Sequence, residues 1–226
     1  GLPVHGLQVD LEAGLAQQFG ADWRQRSPRL ARLEGVVSLL RWDWPRMAQH
    51  LATAAALAEA PDTRNDAERQ QAQALLAMAL YALDRNAESE ALIARLRQET
   101  LAPQTRRQML MADATQHFRR GQLDALPALY TEVLDSLFAG ASLFEWWECV
   151  PAANWGTLPG MRRQMQRYVD GATLQLRNQP LALRADILML QAYGHLWAGR
   201  VEQARESVQA AEDDQRWLAC SGETDI

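Results

Sequence analysis

The chain has 226 residues, 48% hydrophobic and 23% charged, with a formal net charge of −5. That acidic balance argues against nucleic acid as a direct partner, because it removes the counterion-release drive of phosphate binding. All 23 basic residues are arginine, which excludes a phosphate-loop lysine, and the isolated Cys149 and Cys220 argue against a disulfide framework.

No apolar run approaches membrane-spanning length and no secretory leader opens the chain, so a cytoplasmic protein without a membrane partner is expected. Gly1 stands where a start Met would, and the chain is expected to be a fragment of a longer one. Ala, Leu, Gln and Arg dominate, and all are good helix formers. Runs of Val, Ile, Tyr and Thr that would signal strands are missing from the sequence.

In chain order, residues 4–19 read as a weak helix with Leu7, Leu11, Leu15 and Phe19 on one stripe. Ser27-Pro28 is a helix entry, and it predicts a first helix over 28–41 with a second over 45–58. Pro61 breaks the chain, Asn65 or Asp66 caps the next helix to about 83, and its mate covers 87–99. Pro103 opens a helix to 120, followed by one over 123–138 that tolerates Pro127 only in its first turn. Residues 143–177 form an irregular unit: a short helix over 143–149, a Pro- and Gly-interrupted loop, and a helix over 161–176. The clearest helix pair comes last. Leu183, Ile187, Leu190 and Gly194 step at helical spacing, and Leu196 and Trp197 close the turn. Gly199 sits at a left-handed cap position. Val201, Ala204, Val208 and Ala211 then form the stripe of a second helix, whose face is filled by small residues such as Ala204, Ser207, Ala210 and Ala211. Residues 216–220 follow, before another helix forms.

The junction of that last pair recurs. Turns are predicted at 43, 84, 121 and 199, and a fifth near 160 at Leu158-Pro159-Gly160-Met161. The period is roughly 40 residues, which belongs to stacked helix pairs. The prediction is an all-α, right-handed superhelix of about five tetratricopeptide-like helix pairs, one helical-repeat domain over 1–226.

No catalytic motif and no metal-ligand spacing is present, and no cofactor is expected: the sequence lacks a glycine-rich phosphate loop, HExxH, CxxC and a nucleophile elbow. His5, His50, His117 and His195 are scattered. Glu145 and Glu148 share a helix face, a spacing that ordinarily marks a surface pair. Arg162, Arg163 and Arg167 near a helix start suit an anion, although a solvated basic face has the same appearance. The tryptophans carry more. Most Trp residues in helical repeats fill gaps between helices, but Trp146, Trp147 and Trp155 crowd the irregular unit. Neighbours on a helix point about 100° apart, so Trp146 and Trp147 cannot both face one core stripe. The candidate ligand surface is therefore Trp146, Trp147 and Trp155, with Glu145 and Glu148 as acceptors and Arg162 and Arg163 as donors.

Leu158-Pro159-Gly160-Met161, Tyr168-Val169-Asp170-Gly171-Ala172, Leu196-Trp197-Ala198-Gly199-Arg200 and Arg216-Trp217-Leu218-Ala219-Cys220 carry a diffuse likeness from about residue 28 onward. The chain resembles the tetratricopeptide-like region of large LuxR-type bacterial activators of the MalT kind. The resemblance implies a regulatory segment that senses a small-molecule inducer and self-associates, flanked in that family by an ATPase and a helix-turn-helix. It implies no catalytic residue, and this sequence has neither a Walker motif nor a DNA-binding end. A free-standing scaffold that binds a peptide or protein is the alternative. Homo-oligomerisation through an uncovered end at Trp217 and Leu218 is expected in either case.

Overall fold

Ser27 and Pro28 begin the first helix by two separate means. The Ser27 hydroxyl accepts from the Leu30 backbone N–H at 3.4 Å, and Pro28, lacking an N–H, costs no hydrogen bond in the first turn. The computed structural model describes residues 27–142, 145, 146, 149, 155–175 and 181–221. The helix expected at 4–19, most of the one at 143–149, and Trp147 and Glu148 lie outside the described residues.

The described residues are all-α. Their helices are α1 (Pro28–Leu40), α2 (Trp44–Glu59), α3 (Asp66–Ala82), α4 (Asn86–Leu96), α5 (Pro103–Arg119), α6 (Leu126–Phe138), α7 (Arg162–Gln175), α8 (Leu181–Trp197) and α9 (Val201–Ser221). Short 3-10 turns occupy Pro61–Thr63 and Leu123–Ala125. The second of these explains why α6 begins three residues later than the sequence pattern suggests. Pro127 must lie in a first turn, so the α-helix starts at Leu126 and the preceding residues coil more tightly.

Left-handed backbone recurs at Trp42, Asp84, Gly121, Gly160 and Gly199, with φ of 56°, 58°, 70°, 78° and 75°. These are the predicted turn positions, the first displaced by one residue. Around Trp42, Asp84, Gly121 and Gly199 the hydrogen bonds are the same. The N–H of the left-handed residue reaches back to Leu39, Tyr81, Phe118 or Leu196. The next N–H reaches one residue further, to the carbonyl of Ser38, Leu80, His117 or His195, at 2.8–3.0 Å. This is a Schellman closure, and it satisfies the orphan carbonyls of the helix that ends there. The residue after the left-handed one then starts the next helix. The carbonyls of Asp43, Arg85 and Arg200 accept the first intrahelical bonds from Met47, Ser89 and Ala204.

Each such joint folds two helices back on one another, so residues about equally far from the turn meet. Gly35 of α1 lies against Leu51 of α2, where a Cβ would come within 2.7 Å of the leucine side chain. The buried Ser89 hydroxyl of α4 donates to the Ala77 carbonyl of α3 at 2.6 Å. Arg184 of α8 pairs with Asp214 of α9 at 3.0 Å.

The chain divides into two compact units, residues 1–112 and 113–226. In the first, α2 packs on both α1 and α3, and α3 packs on α4. Its core joins Leu39, Met47, Leu51, Leu75 and Leu80, beside an alanine seam of Ala31, Ala54, Ala55 and Ala72. Polar groups at the seam's edge are paired. Arg32 of α1 bonds Glu68 of α3 at 2.6 Å, and Arg69 clamps Glu99 through two bonds of 2.5 and 3.1 Å.

In the second unit, α7 packs on α6 and on α8, and α8 packs on α9. The small residues expected on α9 are buried as read: Ala204, Ser207 and Ala211 face the helix pair. Ala211 meets Ala185 and Leu188 of α8 in one cluster. Ile187, Leu190 and Gly194 also hold the core side of α8, with Gly194 against Val169 of α7. Val201 and Leu196 differ from the expected stripe and are exposed, since both sit at the joint itself. Residues 216–220 continue α9. There the Arg216 guanidinium donates to Glu212 and Asp213 one turn earlier, the spacing that stabilises an exposed helix face.

Candidate recognition groove

Six aromatic rings run through the second unit in one connected chain. Phe118 of α5 meets Trp155 at 5.4 Å between ring centroids, and Trp155 meets the edge of Tyr130 of α6 at 6.0 Å. Tyr130 stands edge-on to Tyr168 of α7 at 6.3 Å, and Tyr168 lies flat on Trp146 at 5.7 Å and 15°. Trp146 in turn meets Phe138 edge-on at 5.2 Å. Edge-to-face and stacked pairs in this distance range each add to simple burial. The Tyr168 hydroxyl donates to the Trp146 carbonyl, so Tyr168 and Trp146 are also tied through the backbone. The Tyr130 hydroxyl is fully buried and makes no hydrogen bond to a described residue. Burial, with a smaller contribution from Cys149, pushes its pKa well above the usual phenol range.

A groove of about 1020 Å³ lies along the outer face of α7. Its middle is a stripe of that helix: Arg163, Gln166, Arg167 and Asp170. At Gly171 the stripe has no side chain, because the space is taken from beneath. A Cβ there would come within 2.3 Å of the Trp146 ring and 2.7 Å of Phe138. One end of the groove is formed by Trp197, Ala198 and Gly160, tied to α7 by the Arg162 guanidinium, which donates to the Trp197 carbonyl. The other end is formed by Phe138 and Leu174, the latter 64% exposed. From Arg162 to Leu174 the helix rises about 18 Å at 1.5 Å per residue.

The charges are placed unevenly along this span. Arg163 is exposed and has no ion-pair partner among the described residues. Arg167 bonds Asp135 at 2.7 Å and lies over the Phe138 ring at 5.0 Å, a cation–π contact. Asp170 accepts from Gln166 at 2.9 Å. The groove is thus apolar at its ends, with Arg163 as the cation between them that no described carboxylate pairs.

The residues singled out in the sequence separate in space. Arg162 and Arg163 line the groove. Trp146 and Trp155, 2% and 5% exposed, are core rings; Trp146 supports the groove from below and does not open onto it. Glu145 has a different task. Its carboxylate accepts from the Ser142 N–H at 2.6 Å and the Ser142 hydroxyl at 2.8 Å, while the Glu145 N–H faces the Ser142 oxygen at 3.5 Å. That is a capping box, and the Ser-x-x-Glu spacing at 142–145 is its sequence signal. Groove residues that the sequence reading left out of its candidate surface include Phe138, Gln166, Asp170, Gly171, Leu174 and Trp197. The recurrence of 163, 167, 170 and 174 at helical spacing was a signal for a shared face, but it carried no sign of which face lay open.

The described histidines serve local pairs: His50 beside Glu34 at 3.3 Å, His117 beside Asp113 at 3.6 Å, and His195 accepting from Arg200 at 3.1 Å. Among the described residues no three His, Cys, Asp or Glu side chains gather as a metal site, and no helix is long and apolar enough to cross a membrane. Comparison of the chain with protein-family models, with curated proteins and with solved structures found no match.

Proposed function

We propose that this chain is a recognition module built of stacked helix pairs, working as the signal-receiving and self-associating segment of a LuxR-type transcription regulator of the MalT kind. In this reading it does no chemistry of its own, works in the cytoplasm and leaves DNA contact to another part of the regulator. The observation that carries the recognition role is the open groove along α7, with aromatic ends and an arginine centre, seated on a packed aromatic core. A firm floor beneath an open, chemically mixed face is what a selective binding surface needs. The regulatory setting rests on the sequence resemblance, as does the right-handed superhelix expected of such an array. Self-association is supported by Trp217, 58% exposed on α9.

The test has two parts. The parent gene is read for a phosphate-loop ATPase upstream and a helix-turn-helix downstream. If both are present, Arg163→Glu is placed in the full regulator and reporter output is measured. Loss of induction with unchanged protein level supports the proposal, and unchanged induction sinks it. A gene with neither flanking part favours the second reading, a free-standing scaffold for a protein partner, which the same groove supports equally.

A further inference from the structure

We infer that the α7 groove takes an acidic amphipathic peptide segment, with apolar side chains near both ends of a span of about 18 Å and carboxylates between them. This rests on the reading of that groove as the recognition surface and names what it recognises.

Three features select this occupant. The groove is long: its two apolar ends are held at opposite ends of α7, Trp197 by the Arg162 bond and Phe138 by its contact with Gly171 and Arg167. Two separated apolar ends call for two anchors on one extended ligand, which a segment of chain supplies. The charge balance is positive. Arg162, Arg163 and Arg167 stand against Asp170 and the Asp135 carboxylate that Arg167 bonds, and Arg163 carries its charge unpaired by any described carboxylate. A partner with carboxylates at mid-span would meet that charge, and a basic one would be repelled. The surface is also open at Leu174 and Phe138, 64% and 43% exposed, so apolar side chains can seat there without the core having to part.

The probe is a fluorescein-labelled, helix-forming peptide of about 14 residues, long enough to span α7, with Leu near each end and Glu between. Its controls carry Lys for Glu, or Ala for Leu. Anisotropy is measured with the full chain, with Arg163→Glu and with Leu174→Asp. Both side chains are exposed, and circular dichroism checks that the two variants melt like the parent. The expected result is binding at least about ten-fold tighter for the Glu peptide than for the Lys peptide, weakened by salt. A loss of about ten-fold is expected in either variant and with the Ala peptide. Equal binding of the Glu and Lys peptides, or undiminished binding to both variants, overturns the inference. If the Glu peptide fails while an aromatic carboxylate binds the parent chain and not Arg163→Glu, the peptide inference falls and the recognition groove stands. If neither probe binds and the reporter ignores Arg163→Glu, both fall.

Discussion

The ring of Trp146 occupies the place where a side chain on Gly171 would stand. One residue forms the floor of the groove by having no side chain, and the other fills the space from the core. Gly171→Ala is therefore expected to destabilise the second unit by about 1–3 kcal/mol through overpacking, because a Cβ at 2.3 Å forces the indole to move. Trp146→Ala removes the same contact from the other side and is expected to cost about 3–5 kcal/mol, as is Trp155→Ala. Urea denaturation followed by circular dichroism measures all three. A Trp146→Ala chain that melts like the parent and loses only ligand response would return that ring to the binding surface.

The Schellman joints give a second expectation. Nothing lies within 4 Å of a Cβ added at Gly121 or Gly199, so replacing either by Ala tests backbone conformation without steric interference. The left-handed region costs an L-residue about 1–2 kcal/mol, and each variant should lose about that much stability. A loss well below 0.5 kcal/mol in both, a threshold of roughly a third of that cost, would mean that the left-handed turns are not what closes these helices.

Tyr130→Phe deletes a buried hydroxyl that bonds no described residue while keeping the ring on Trp155 and Tyr168. An unpaired buried hydroxyl is a standing cost of roughly 1–3 kcal/mol. The variant is expected to be as stable as the parent or more so, by up to about 1 kcal/mol after some relaxation of the site. Thermal melting that falls by several degrees would show that the hydroxyl serves the fold.

The pH dependence of the first unit follows from Glu99. The Arg69 guanidinium, first through its hydrogen bonds, holds the Glu99 carboxyl below its ordinary value of 4.5. A carboxylate whose pKa is lower in the folded chain stabilises it above the unfolded value, and that contribution is lost as pH falls through the folded one. Stability should therefore decline below about pH 4.5, and Glu99→Gln should flatten that part of the profile. In the second unit His195 is held below its ordinary value of 6.5, by burial first and by Arg200 second. Here too protonation favours the unfolded chain, so a separate loss begins as pH falls below 6.5. Melting curves from pH 8 to 3, with and without Glu99→Gln and His195→Gln, separate the two.

The joints were legible in the sequence because each is local. Gly121 and Gly199 closely follow helical segments, and the six-residue closure needs no partner from elsewhere. Trp42 is the instructive departure. A bulky residue takes the left-handed position one place before the predicted turn, since Asp43 is needed to cap α2, accepting from the Arg46 N–H at 3.2 Å. The aromatic chain was not legible. It joins residues 118, 130, 138, 146, 155 and 168, contributed by several elements, and periodicity within one helix gives no sign of which rings will meet across them. Trp146 and Trp155 stand out in the sequence because they crowd the irregular unit, which suggests a binding surface where packing puts a dry core. Leu174 and Phe138 show the converse: apolar in type, open in place.

The joint at Trp42, Asp84 and Gly199 has one more consequence, because one residue both completes the closure of one helix and launches the next. There is no slack at such a point. Inserting a single residue would turn the following helix by about 100° and swing its apolar stripe out of the core. Gene duplications that lengthen or shorten the array should therefore leave the joint untouched. Length variation among copies belongs in the connectors at 60–65, where a 3-10 turn opened by Pro61 already breaks the helix, and at 97–102, which is turn and coil.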